Sequence, residues 1–414
     1  MKTKNFLSRF SAAALLAAAL IPAALTSCSS DSEPNNPQPN PAPEGFAKLN
    51  LTLSTPEMST TRAESNLTED EKNVSELWVY FYRKGTDNSY AIWNSFVIDG
   101  TTNNTKDSDT GAEFSMLADN KIEHQIGENA GYQTIISDMN IPSGTYHIYV
   151  LANMSSYKAD LQPAGKNFSV TESDFRNSII PTGATIEPTK LPMAADYTDV
   201  TIKDGNVSAG EVVINSGAVT IQSTMTILCS KVRFSVLFDN TETVTDGTST
   251  FGHSYPYASC ELQTVKLNNY NQAAPLYSMS LQDNQYNKGT EAVNIEWNKV
   301  SYPDNSWITG TTPGDDLDKD AGTATTGKLA WQNTIYLTEN LSGDSKTNLG
   351  VTMSLDDSPK TFSMYLPKQS GTGAENTLTR GNFYDVIGKI TTEGMAFEVK
   401  IKPWATTTIE KHPL

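Results

Sequence analysis

Beyond residue 45 the apolar residues of this chain recur at every second position, in short runs, and rarely with the spacing of a helix. AKLNLTLS is the plainest case. Ala47, Leu49, Leu51 and Leu53 fall on one face and Lys48, Asn50 and Thr52 on the other, the pattern of a strand buried on one side. ELWVYFYR and AIWNSFVI follow as strands. IPSGTYHIYVLANMSS (Ile141–Ser156) reads as a turn, with Pro142 and Gly144 flanking Ser143, and then a strand. TIQSTMTILCSKVRFSVLF carries two strand-like runs, and TIYLTEN, LGVTMSL, TFSMYLP, NFYDVIGKI, MAFEVKIK and PWATTTIEK come after it. In MAFEVKIK, Met395, Phe397, Val399 and Ile401 share a face. The exception is LTEDEKNV, where Thr68 followed three residues on by Glu71 predicts a short capped helix. Many short strands between turn signals predict an all-β chain of β-sandwiches.

At 414 residues the chain exceeds one domain core. The composition shift at KDGNVSAGE (Lys203–Glu211) divides it into an N-terminal sandwich, 46–205, and a C-terminal sandwich, 206–414. From Asp239 to about Lys328 the sequence is rich in Gly, Asn, Asp and Thr, and long loops are expected there. No repeat of short period is visible.

The first 27 residues read as a processing segment. Lys2, Lys4 and Arg9 precede the apolar run FSAAALLAAALIPAAL, which is short for a membrane span of roughly 20 residues. LTSC then resembles a bacterial lipobox, with Cys28 as the residue that takes the lipid. Leader and lipobox together favour a lipoprotein over a plain secretory signal with an incidental cysteine. Residues 28–45 read as a tether: SSDSEPNNPQPNPAPE has five prolines and almost no apolar residue. Asp31 and Glu33 resemble the acidic tags of surface-exposed lipoproteins in Bacteroidota.

The formal charge is −17 for the whole chain and −20 once the three cations Lys2, Lys4 and Arg9 leave with the signal. Such acidity argues against a nucleic-acid partner, whose phosphates need basic patches. Cys229 and Cys260 remain after the lipid cysteine, and a disulfide and a buried free thiol both stay open. His124, His147, His253 and His412 are scattered without metal-like or nucleophile-like spacing. DDLDKDAG (Asp315–Gly322) lacks the Gly and Glu of a calcium loop, since Ala321 and Gly327 occupy those positions. Trp78, Trp93, Trp297, Trp307, Trp331 and Trp404 offer material for a sugar platform, against an ordinary place in the core. No catalytic constellation is present, and the chain reads as a non-enzyme without a cofactor.

IPSGTYHIYVLANMSS, SKVRFSVLF, TIYLTENLS and RGNFYDVIGKI…FEVKIKPW together resemble the fimbrillin superfamily, the shaft and accessory subunits of type V pili in Bacteroidota. The most specific part is Gly144–Asn153, Gly-x-Tyr-x-x-Tyr-Val-Leu-Ala-Asn. One departure is Ile227, which stands about where the family often has an arginine before the Lys-Val of the second domain. The resemblance implies two transthyretin-like β-sandwich domains in tandem. It also implies a precursor lipid-anchored in the outer membrane and cut by an arginine-specific protease in the loop after the first strand. That strand then leaves, and the C-terminal strand of another subunit fills its groove.

The residues fit that scheme. Leu49, Leu51 and Leu53 would be the displaced first strand. Arg62 lies in the polar loop EMSTTRAESNLTEDE and is the only arginine between Arg9 and Arg83; a cut there leaves Ala63 as the new N-terminus. The candidate donor strand is the tail 403–414, with Trp404, Thr406 and Thr408 on one face and Ala405, Thr407 and Ile409 on the other, Pro403 marking the bend where it leaves its sheet. The alternatives are a surface arginine of no consequence and a tail that is the subunit's own last strand. The partners implied are other copies of the chain, other fimbrial subunits, an arginine-specific protease, the outer membrane through its lipid, and host or bacterial surface ligands. Two other functions compete: a pilus anchor or accessory subunit that keeps its lipid, and a surface glycan-binding lipoprotein. Cys28→Ala is expected to abolish acylation and membrane retention; fatty-acid labelling equal to that of the native chain would contradict the lipobox reading.

Overall fold

A computed structural model of the chain describes residues 45–54, 70–102, 105–115, 133–181, 186–203, 206–208, 212–215, 218–238, 241–246, 249–254, 260–277, 293–294, 301–302, 328–340, 347–366, 378–391 and 394–403. The fold is nearly all β, as the period-two pattern predicts. The first strands are β1 (Phe46–Ser54), β2 (Glu76–Lys84), β3 (Tyr90–Asp99), β4 (Glu113–Phe114), β5 (Gln133–Pro142) and β6 (Gly144–Ala152). A short helix α1 (Glu172–Arg176) and β7 (Ile179–Pro181) lead to β8 (Met193–Lys203), β9 (Asn206–Ser208), β10 (Val212–Asn215), β11 (Ala218–Thr224) and β12 (Thr226–Ile227).

Apart from β7, these strands build two sheets. One has the order β10-β11-β1-β5-β4; the other is β12-β8-β6-β2-β3, with β9 beside β8. They close on one core, where Leu49, Leu51, Ile136 and Met139 meet Leu77, Val79, Ile148 and Val150. β2 is buried on both faces. Its other side, Trp78, Tyr80 and Tyr82, packs under Leu161, Phe168 and Phe175 of the segment that crosses from β6 to β8, which is why ELWVYFYR reads as a continuous apolar run. β9 to β12 belong to these sheets, so the first sandwich takes strands as far as Ile227, past the composition shift at Lys203–Glu211.

The second sandwich begins with β13 (Cys229–Phe238), followed by the hairpin β14 (Thr241–Asp246) and β15 (Ser249–Ser254). Then come β16 (Cys260–Asn268), β17 (Ala273–Pro275), β18 (Val293–Asn294), β19 (Ser301–Tyr302) and β20 (Lys328–Thr338). The last strands are β21 (Asn348–Leu355), β22 (Ser358–Tyr365), β23 (Asn382–Thr391) and β24 (Gly394–Pro403). The sheets β20-β13-β23-β24 and β18-β16-β21-β22 enclose Val232, Phe234, Leu262, Val265, Val351, Met353, Tyr384 and Val386.

Two expectations change and one open alternative is decided. Asp239–Lys328 is not all loop, because β16 is an internal strand of its sheet. Its apolar residues fall out of step where the register shifts between Leu262 and Thr264, so Leu262 and Val265 reach one core at a spacing of three. The helix expected at Thr68–Glu71 is a single 3-10 turn, Asp70–Lys72, and Glu71 is fully buried in it. Cys229 is a free, buried thiol, so it forms no disulfide with Cys260.

β1 is the middle strand of its sheet, and Leu49, Leu51 and Leu53 are 1%, 0% and 0% exposed. Leu51→Ala should therefore cost about 2–5 kcal/mol, the range for a buried leucine whose cavity does not collapse. Urea melts check this; a loss below about 1 kcal/mol would show that β1 contributes little to the core.

Candidate functional site

The seat of β1 is the feature that the sequence singles out and the structure describes. On one edge β1 runs parallel to β11, with Leu49 opposite Val219 and Leu51 opposite Ile221. On the other it runs antiparallel to β5, with Leu49 opposite Met139 and Leu51 opposite Ile136. β11 with β10, and β5 with β4, are joined in this sheet only through β1. Each fully buried leucine contributes ~1.5–3 kcal/mol, so Leu49, Leu51 and Leu53 contribute roughly 5–9 kcal/mol. Without β1 the two flanking strands present unpaired N–H and C=O groups along a groove.

The outer face adds a fastening that sequence reasoning missed. Ser137 and Asp138 together face Asn50, a bulge in β5. Asp138 takes a left-handed φ of 56°. Its N–H donates to Asn50 Oδ1 at 3.0 Å, and its carbonyl accepts from Lys48 Nζ at 3.0 Å. Lys48 and Asn50, read as plain solvent-facing positions, thus fix the register of β1 against β5. The one signal for it is the Asp-Met-Asn break in the alternation of TIISDMNIP, since Asp and Asn tolerate that φ.

The Gly144–Asn153 stretch is structural. A Cβ at Gly144 would stand 2.8 Å from Arg83 Nε, and Arg83 Nη2 donates to the Ser143 carbonyl at 2.6 Å. Tyr146 OH donates to the Pro142 carbonyl at 2.8 Å. Asn153, with φ 58°, accepts from Ser75 N–H at 2.9 Å and donates to the Asn73 and Leu191 carbonyls at 2.9 and 3.0 Å. The stretch ties the end of β6 to the chain that enters β2.

Of the residues singled out from sequence, Leu49, Leu51 and Leu53 are brought together in this seat. Cys28, Arg62, Ala63, Trp404, Thr406, Thr408 and Ile409 lie outside the described residues, as do Asp315–Gly322. β24, the edge strand before the tail, ends at Pro403 opposite Asn382. Its Met395, Phe397, Val399 and Ile401 are half-buried against the second core. Trp78 is 1% exposed and donates its indole N–H to Glu76 Oε2 at 3.2 Å; Trp93 is half-buried against the first core. Neither forms a surface platform. Among the described residues no group of His, Cys, Asp and Glu is arranged to hold a metal ion, and no helix is long and apolar enough to cross a membrane.

The family comparison falls on the same region. Residues 47–226 match the model of the major fimbrial subunit protein (FimA) family. Three solved structures are similar to this chain. The tip fimbrial protein Mfa3 from Porphyromonas gingivalis is 10% identical, with 87% of this chain and 100% of that one covered and a TM-score of 0.46. A candidate cell adhesion protein from Parabacteroides distasonis is 13% identical, with 87% and 98% covered and a TM-score of 0.49. One from Bacteroides eggerthii is 12% identical, with 88% and 98% covered and a TM-score of 0.45. No curated protein sequence matches the chain. Over residues 47–226, the stretch that builds the sandwich around β1, the chain is similar to the major fimbrial subunit family, the likeness that its sequence motifs lead one to expect.

Proposed function

We propose that this chain is a structural subunit of a cell-surface fimbria, which polymerises by exchange of strands and supports adhesion. The precursor is exported, takes its lipid on Cys28 and is held at the outer membrane. An arginine-specific protease cuts after Arg62, β1 leaves with the lipid, and the groove between β11 and β5 takes the tail of another subunit. The observation that carries this reading is the position of β1. It is internal to its sheet, yet its chain connection to the strands that follow runs only through residues 55–69, where Arg62 is the single arginine. One cut therefore detaches a strand that holds roughly 5–9 kcal/mol of leucine burial, and a donated strand restores both the burial and the backbone hydrogen bonds. The donor is the tail beyond Pro403, which continues an edge strand and so leaves its own sheet without breaking a second ladder. The two sandwiches form separate domains of transthyretin-like type, with the change of domain after Ile227.

Arg62→Ala should give a folded, lipidated precursor that stays out of high-mass polymers. Its stability should lie within ~0.5 kcal/mol of the native chain, as for a solvated loop position. Normal polymers from this variant would overturn the cleavage reading.

Truncation after Lys402 tests the donor. The shortened chain should melt close to the native chain, because the core closes on the Met395–Ile401 face, and it should be cut at Arg62 yet fail to extend a fibre. If Trp404 is instead part of this subunit's own core, its loss should cost ~3–5 kcal/mol and lower the melting temperature by several degrees. Normal polymers from a stable truncation would place the donor strand elsewhere.

A further inference from the structure

The 3-10 turn that precedes β2 carries a buried carboxylate. Glu71 sits in the 3-10 turn Asp70–Lys72 and is 0% exposed. The turn is held to the first sandwich by its neighbours. Val74 lies in the first core, and Asn73 Nδ2 donates to the Thr189 carbonyl at 2.9 Å. The side chain of Glu71 points the other way, to the second sandwich. Lys231 Nζ lies 2.7 Å from its Oε1, and Tyr336 OH donates to the same oxygen at 2.5 Å.

Lys231 on β13 and Tyr336 on β20 are direct cross-strand partners, and Phe383 on β23 is the partner of Lys231 on the other side. The ammonium stands 5.2 Å from the centre of the Phe383 ring. All three belong to the face of this sheet that turns away from the second core. Val232 and Leu337, their chain neighbours, lie in that core, whereas Tyr336 and Phe383 pack with the first. The second sandwich thus offers a row Tyr336–Lys231–Phe383, and one carboxylate of the first sandwich lands on it. Burial draws the Lys231 ammonium below its usual pKa, and Glu71 opposes that shift. Burial, and then the bond to Glu71, pushes the Tyr336 hydroxyl up.

We propose that Glu71 is the pin of the joint between the two sandwiches: it fixes the turn Asp70–Lys72 on β13 and β20 and so sets the orientation of one sandwich on the other. A buried ion pair contributes little net stability against apolar packing but strongly selects one geometry, and removal of a single partner strands the other charge. A second fastening lies elsewhere on the joint. β17 pairs with β7, and Arg380 donates to the Pro275 and Leu276 carbonyls at 2.7 and 3.1 Å. Loss of Glu71 should therefore free one side of the joint and leave the folds of both sandwiches in place. Where β1 is withdrawn by a cut in residues 55–69, the pin lies on the far side of the cut and stays with the subunit; that consequence alone rests on the strand-removal reading.

Hydrogen exchange on the full, uncut chain tests the joint, so its outcome does not depend on whether Arg62 is cut. Glu71→Gln should speed exchange at least tenfold in residues 70–74, 229–233 and 334–338, with β1 and β21 unchanged. In the double variant Glu71→Gln, Lys231→Met no charge is stranded. It should melt above Glu71→Gln, yet keep the faster exchange at the joint. Should Glu71→Gln fail to fold, the same local loss in a folded double variant supports the pin. Unchanged exchange at the joint, or a uniform loss across both sandwiches, overturns it. Failure of both variants to fold would make the cluster a general requirement of the core and would equally overturn the proposal.

Discussion

β1 is hydrogen-bonded along both edges, yet it stands at the covalent start of its sandwich, and the rest of the fold is arranged around that mismatch. An internal strand is normally the last part of a sheet to come free, because its loss breaks two ladders and opens the core. A strand at the start of a domain is the easiest to detach covalently, because one cut suffices. Leu49, Leu51 and Leu53 make the first property strong. Residues 55–69, polar and with one arginine, supply the second. Lys48 and Asn50 add register on the outer face through the bulge at Asp138, so β1 is held by its polar face as well as by its apolar one.

The second sandwich repeats the seat but not the mismatch. β13 lies between β20, antiparallel, and β23, parallel, just as β1 lies between β5, antiparallel, and β11, parallel. β13, however, follows β12 after a single residue, and its outer face is engaged by Glu71 through Lys231. Arg233 on the same face forms a two-pronged pair with Asp385 of β23, at 3.0 and 2.8 Å. The same seat is thus occupied once by the first strand of a sandwich and once by a strand that follows its predecessor directly, and the two differ in chain connection and outer-face chemistry.

The fold class was legible because most strands are buried on one side, which writes their period into the sequence; AKLNLTLS is the clearest instance. Gly144–Asn153 was legible as a motif, although its reasons are contacts with Arg83, Pro142 and Ser75 that no local pattern displays. β16 was missed because its bulge throws Leu262 and Val265 out of alternation. Glu71 was read only as the acid of a helix cap, since LTEDEKNV looks the same whether its glutamate meets water or a lysine 160 positions away. The recurrence of the β1 seat at β13 leaves no echo in sequence, because a seat is defined by strand order and not by side chains. For the candidate site, the leucines announced themselves, whereas the polar fastening at Asp138 depends on pairing over 88 and 90 residues.

The central claim is that β1 is a removable strand. The intact mass of the protein recovered from polymers on its native cell surface tests it most directly. The account predicts the mass of a chain that begins at Ala63, without lipid and without residues 28–62. A polymer whose subunits begin at a lipidated Cys28 and keep β1 would contradict it.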